Sequence, residues 1–132
     1  MKVLFDHNLA PRIARAINLL VEPADTVVPL KDKFPPDVTD TEWIAALGRE
    51  GGWIVVSGDR RISRNRAERE AWRASRLTGF FLSRGLHKAP VLKQAARLLL
   101  LWDTMRMQHS LVEPGAIFEL PMRSNKLRQI SI

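Results

Sequence analysis

Residues 53–62, WIVVSGDRRI, decide the fold. The run from Trp53 to Ser57 is apolar, β-branched and uninterrupted, as a strand buried on both faces should be. It stops at Gly58, and an acid, Asp59, follows directly. Residues 3–17, VLFDHNLAPRIARAI, share this design. Residues 3–5 form a short buried strand that runs into a single acid, Asp6. The apolar period then becomes helical, with Leu9, Ile13, Ala16, Ile17 and Leu20 on one stripe of a helix over 9–21. Asn8 is placed to cap that helix, and Pro11 falls in its first turn, where a missing N–H costs nothing.

The same alternation continues along the chain. A strand is expected at 26–30, then a loop holding Pro35 and Pro36, then a helix over 40–50 closed by Gly51 and Gly52. A polar helix over 63–75, a strand at 78–82, one long helix over 90–109 and a last strand at 116–120 follow. In the long helix, Val91, Ala95, Leu98, Trp102 and Met105 make a core stripe. Strands alternating with helices through short connections predict the α/β class: a three-layer α/β/α domain around a mostly parallel central sheet. Residues 1–122 are expected to form this single domain and 123–132 a basic C-terminal tail.

Composition narrows the function. The chain has 132 residues, enough for one domain with its own core, and 45% are hydrophobic. With no cysteine, disulfides and thiolate-ligated metals are excluded, which suits a reducing compartment. The three histidines, His7, His87 and His109, lack the spacing of a histidine metal motif. The longest apolar run, residues 98–102, is far shorter than the roughly 20 residues that cross a bilayer. A soluble cytoplasmic protein with no membrane partner is expected. The net charge of +7 favours polyanions, nucleic acid first among them.

In open parallel sheets, ligands sit beyond the carboxyl ends of the strands. Asp6 and Asp59 each end a strand, so both carboxylates are expected at one edge. The segment 37–43, DVTDTEW, brings Asp37, Asp40 and Glu42 to the same edge at the start of a helix. Thr39 and Glu42 match a capping box, with Val38 and Trp43 as its hydrophobic staple. Glu42 is then bent toward the backbone, and Asp40 faces the cleft. Crowded carboxylates raise one another's pKa, and a divalent cation removes the conflict; oxygen donors suit Mg2+ or Mn2+. Asp103, in the long helix, is expected to be a solvated helix residue.

The segment 59–76, DRRISRNRAEREAWRASR, places Arg66, Arg69, Arg73 and Arg76 at helical spacing, a basic ridge for a polyanion. Ala67, Ala71 and Ala74 are expected to form its buried face. Trp72 is read as core, with base stacking as the alternative. Trp43, Trp53 and Trp102 lie in apolar patterns and are also read as core.

VLFDHNLAPRIARAI, DTEW and VVSGDRRI together resemble the small PIN-like domains related to VapC-type toxins, over roughly residues 1–82. The resemblance implies a nuclease fold with acids around Mg2+ or Mn2+. By position, Asp6, Asp40 and Asp59 hold the metal, Asn8 and Glu42 stand beside it, and Ser57 orients Asp59. Larger members carry a further acid shortly after the Asp59 position, where this chain has Arg60 and Arg61. Those arginines are expected to bind phosphate. The implied function is a metal-dependent ribonuclease, the toxin of a toxin–antitoxin pair, which cleaves RNA with metal-activated water. The implied partners are RNA, an antitoxin protein and a second copy of the chain. The alternative is a non-catalytic PIN-like module that binds nucleic acid or a protein. A phosphoacceptor signalling domain is disfavoured, because strand one ends in one acid rather than a pair and no lysine follows the 78–82 strand.

Overall fold

A computed structural model describes residues 1–58 and 65–131. Its elements, in chain order, are β1 (Lys2–Phe5), α1 (Pro11–Val21), β2 (Thr26–Pro29), α2 (Leu30–Lys33), α3 (Asp40–Glu50), β3 (Trp53–Ser57), α4 (Arg66–Ser75), β4 (Thr78–Leu82), α5 (Arg84–His87), α6 (Val91–Leu100), α7 (Trp102–Leu111), β5 (Ile117–Leu120) and β6 (Arg128–Ile130). The strands form one sheet in the order β2-β1-β3-β4-β5-β6. β1 to β5 are parallel, and β6 joins β5 antiparallel.

The two-residue period of each strand divides the core between the two faces of the sheet. Val3, Phe5, Ile54, Val56, Phe80 and Leu82 meet Ile13, Ile17, Leu98 and Met105 from α1, α6 and α7. Leu4, Val55 and Phe81 meet Trp43, Ile44, Leu47 and Trp72 from α3 and α4. The domain is therefore helix, sheet, helix. Among the described residues, no helix is long and apolar enough to cross a membrane.

Some local expectations are corrected. The α1 stripe is Leu9, Ile13, Ala14 and Ile17, whereas Ala16 and Leu20 face solvent. A narrower stripe suffices because one side of α1 lies on the sheet. The alanines of α4 are not its buried face: Ala67 and Ala74 are exposed, and Trp72 is the buried anchor. The Trp72 ring meets Phe81 edge-on and lies over Gly79, where an added Cβ would stand 2.8 Å from it. That close approach accounts for a glycine inside a strand.

The expected helix over 90–109 is two helices, broken at Leu101, where ψ is 1°. Adjacent residues on an unbroken helix point about 100° apart. The break lets both Leu101 and Trp102 enter the core. Part of the segment set apart as a tail is a strand: β6 pairs with β5, and the Arg97 guanidinium donates a 2.5 Å hydrogen bond to the Ser124 carbonyl.

Asp25, just before β2, escaped the sequence reading. It is buried and accepts hydrogen bonds from the Trp102 indole (2.9 Å), the Met1 ammonium (2.7 Å) and both terminal nitrogens of Arg106. The Arg106 guanidinium, foremost among these, holds its carboxyl far below the usual range, against the cost of burial. A depressed folded-state pKa means that Asp25 stabilises fully above the unfolded value of about 4, and that this contribution is lost as the pH falls below it. Asp25→Ala, which strands the partners of a buried charge, should cost about 3 kcal/mol in denaturant titrations at pH 7. The difference from the parent chain should shrink as the titrations move below pH 4.

Candidate functional site

Parallel pairing of β1 with β3 sets Phe5 opposite Val56. The next residues, Asp6 and Ser57, therefore leave the sheet side by side at its carboxyl edge. The Asp6 N–H donates to the Val56 carbonyl at 2.9 Å, which extends the ladder by one residue. This fixes the Asp6 carboxylate in a buried position, 3% exposed.

Its oxygens are held by neighbours. The His7 N–H donates to Oδ1 at 2.7 Å, and the His7 imidazole Nδ1 lies 2.7 Å from the same oxygen. The Ser57 hydroxyl donates to Oδ2 at 3.0 Å. Burial raises the Asp6 pKa; the His7 ring, the His7 N–H and Ser57 oppose the rise, and the nearby Asp40 charge adds to it.

Asp40 arrives from α3. Thr39 caps this helix, its hydroxyl oxygen accepting from the Glu42 N–H at 3.3 Å. One Asp40 oxygen accepts from the Trp43 indole at 2.9 Å, and Trp43 is fully buried. The core tryptophan thus aims the acid. Donor atoms of Asp6, His7 and Asp40 lie within 4.8 Å of one another.

Asn8 has a different role from the cap that its position predicts. Ala10 is the cap residue of α1 and makes no side-chain bond. The Asn8 amide instead donates to the Ser57 hydroxyl at 3.2 Å, and its carbonyl accepts from the Gly58 N–H at 3.0 Å. The loop after β1 is thereby tied to the end of β3. His87, from α5, supports the same junction, with Nε2 3.3 Å from the Asn8 backbone carbonyl oxygen.

Glu42 is exposed and lines a groove along α3. Asp59, Arg60 and Arg61 lie outside the described residues. Arg66 starts α4 and pairs with Glu70 at 3.1 Å, Arg69 and Arg73 follow along the helix, and Arg76 lines a cavity with Gly52 and Thr78 at the opposite, amino edge of the sheet. The ridge therefore runs along α4 toward the amino edge of the sheet.

His7 joins the group through its adjacency to Asp6, a signal that the spacing of histidine metal motifs does not carry. Two carboxylates, one of them buried, with an imidazole beside them fit a divalent cation, and the carboxylate oxygens suit a hard one. Asp6 and Asp40 would hold it, with His7 beside them.

The Asn8–Gly58 junction is open to a direct test. A Cβ at Gly58 would stand 2.3 Å from the His87 ring. Gly58→Ala should displace the ring, lowering stability by about 1–3 kcal/mol. His87→Ala removes the obstacle, so denaturant titrations of the double variant should show less destabilisation than the sum of the single ones.

A family model described as PIN like domain matches residues 1–84, which carry β1 to β4 and both acids. Neither the curated proteins nor the solved structures include a match. The match spans more than half of the chain, and the α/β architecture with acids at the carboxyl edge is consistent with it: the chain belongs to the PIN-like domain family, a nuclease-type fold.

Proposed function

We propose that this domain is a metal-dependent endoribonuclease, the toxin of a toxin–antitoxin pair, acting in the cytoplasm on RNA. The observation that carries the nuclease reading is the buried Asp6 carboxylate, set within 4.8 Å of donors on Asp40 and His7 at the carboxyl edge. The toxin assignment, with an antitoxin protein and a second copy of the chain as partners, rests on the resemblance of residues 3–17, 40–43 and 55–62 to VapC-type relatives.

A bound Mg2+ or Mn2+ would supply charge neutralisation at the phosphate and activation of water. Asp6, Asp40 and Asp59 are the proposed ligand set, with His7 beside them. Ser57 and Asn8 hold Asp6 and its loop in place, so the carboxylate need not reorganise when the cation arrives. Trp43 does the same for Asp40. Arg60 and Arg61, which follow Asp59 in sequence, are proposed to bind the scissile phosphate and its neighbour. Arg66, Arg69 and Arg73 extend basic contact along the strand of RNA.

The test is cleavage of single-stranded RNA by the purified chain in Mn2+ or Mg2+. Activity should stop on chelation and fall by about 100-fold or more in Asp6→Asn and Asp59→Asn. Ser57→Ala, which loosens Asp6 without removing it, should cost about 10-fold. Full activity in Asp59→Asn would remove Asp59 from the site. Salt-sensitive RNA binding with no divalent-ion uptake would favour the non-catalytic module instead.

A second readout does not depend on turnover. The Asp6 pKa is raised, so the stability contributed by this group declines as the pH rises from about 4 through its folded-state value. Asp6→Asn without metal should therefore melt no lower than the parent at pH 7. It should also lose the rise in Tm that Mn2+ gives the parent.

A further inference from the structure

The helical turn α2, which the sequence reading did not expect, shapes a second feature beside the acids. A cavity of about 240 Å³ lies between Lys31 of α2, the Phe34-Pro35-Pro36 segment, and the same His7 and Asp40 that belong to the acidic group. Leu30, Phe34, Pro35, Pro36 and Val38 give it an apolar part, and Lys31 is among its lining residues. A neighbouring groove along α3 shares Phe34, Pro35 and Val38 with it, so the apolar surface continues away from the acids.

We infer that this cavity receives one unstacked base of a single-stranded RNA, the nucleotide next to the phosphate held at Asp6 and Asp40, with Lys31 on a flanking phosphate. The inference rests on the nuclease reading and extends it to the substrate. Three observations favour a base as the occupant. First, Asp40 and His7 belong to both places, so whatever fills the cavity has its neighbouring part at the acids. Second, pockets for drug-sized ligands run to roughly 300–1,000 Å³, and this one is smaller, the scale of one flat ring system rather than a duplex or a helix of a partner. Third, the net charge of +7 and Lys31 in the lining suit a polyanion, while Phe34, Pro35 and Pro36 supply apolar surface against which a base can pack. Bases within a duplex are already stacked and paired, so the cavity selects single strands.

The test is an abasic walk. A labelled single-stranded RNA decamer, and ten versions each lacking one base, are titrated by fluorescence anisotropy with Ca2+ replacing Mg2+. Cleavage of the same RNAs is followed separately in Mn2+. On the parent chain, one position should lose about tenfold in affinity when its base is removed. Phe34→Ala should weaken the intact decamer by a similar factor and become indifferent to the missing base. Pro35→Ala, at an exposed position where folding is not at stake, should blunt the same dependence. Lys31→Gln should weaken every decamer alike and lower the salt slope by about 1.

A flat walk on the parent, or a base dependence that survives in both Phe34→Ala and Pro35→Ala, overturns the inference. The two proposals fail separately. Base dependence without Mn2+ cleavage leaves the cavity assigned and defeats the nuclease reading. Mn2+ cleavage with a flat walk keeps the nuclease and defeats the cavity; a cavity built for a partner protein would give that second result.

Discussion

The structure depends on the register of β1 against β3. Two adjacent parallel strands end one residue apart in the same direction, and this alone brings Asp6 against Ser57 at a buried edge. A carboxylate in that position is costly unless it is hydrogen-bonded, and it stays costly when ionised unless a cation is near. The protein meets the first condition with the His7 N–H and the Ser57 hydroxyl. Asp40, brought in by α3, adds to that cost.

The contrast with Asp25 is instructive. Both acids are buried, yet their pKa values move in opposite directions. Asp25, at the amino edge, is surrounded by fixed cations and an indole from α7, and its charge is fully compensated within the chain. Asp6 has one exposed imidazole and a second acid. One carboxylate ties α7 to the sheet; the other lies beside Asp40 at the carboxyl edge. Burial alone does not set the direction in which a carboxyl group shifts; the surrounding charge does.

Much of this was legible in the sequence. Trp53–Ser57 announces a central strand by being apolar throughout, and the pairing of Asp6 and Asp40 follows from strand ends and helix starts sharing one edge. What was not legible depended on three-dimensional neighbours. Asn8 has the residue type and position of a helix cap, but the strand end at Ser57 and Gly58 is a better partner than the first turn of α1. The alanines of α4 mimic a packing stripe, while Trp72 takes the buried place because Gly79 makes room for its ring. β6 carries polar residues because an edge strand needs no alternating core pattern. Lys31 and Phe34 sit in a segment whose prolines announce a loop, and only the folded chain shows that α2 sets them beside the acids.

The most direct measurement is anomalous diffraction from crystals of the chain soaked in Mn2+, recorded beside those of Asp6→Asn. A manganese peak bounded by the Asp6 and Asp40 carboxylates in the parent, and lost in the variant, is the result expected from a pinned, uncompensated charge. Manganese at another surface, or none in a parent crystal whose Asp6 and Asp40 stand as described, would contradict it.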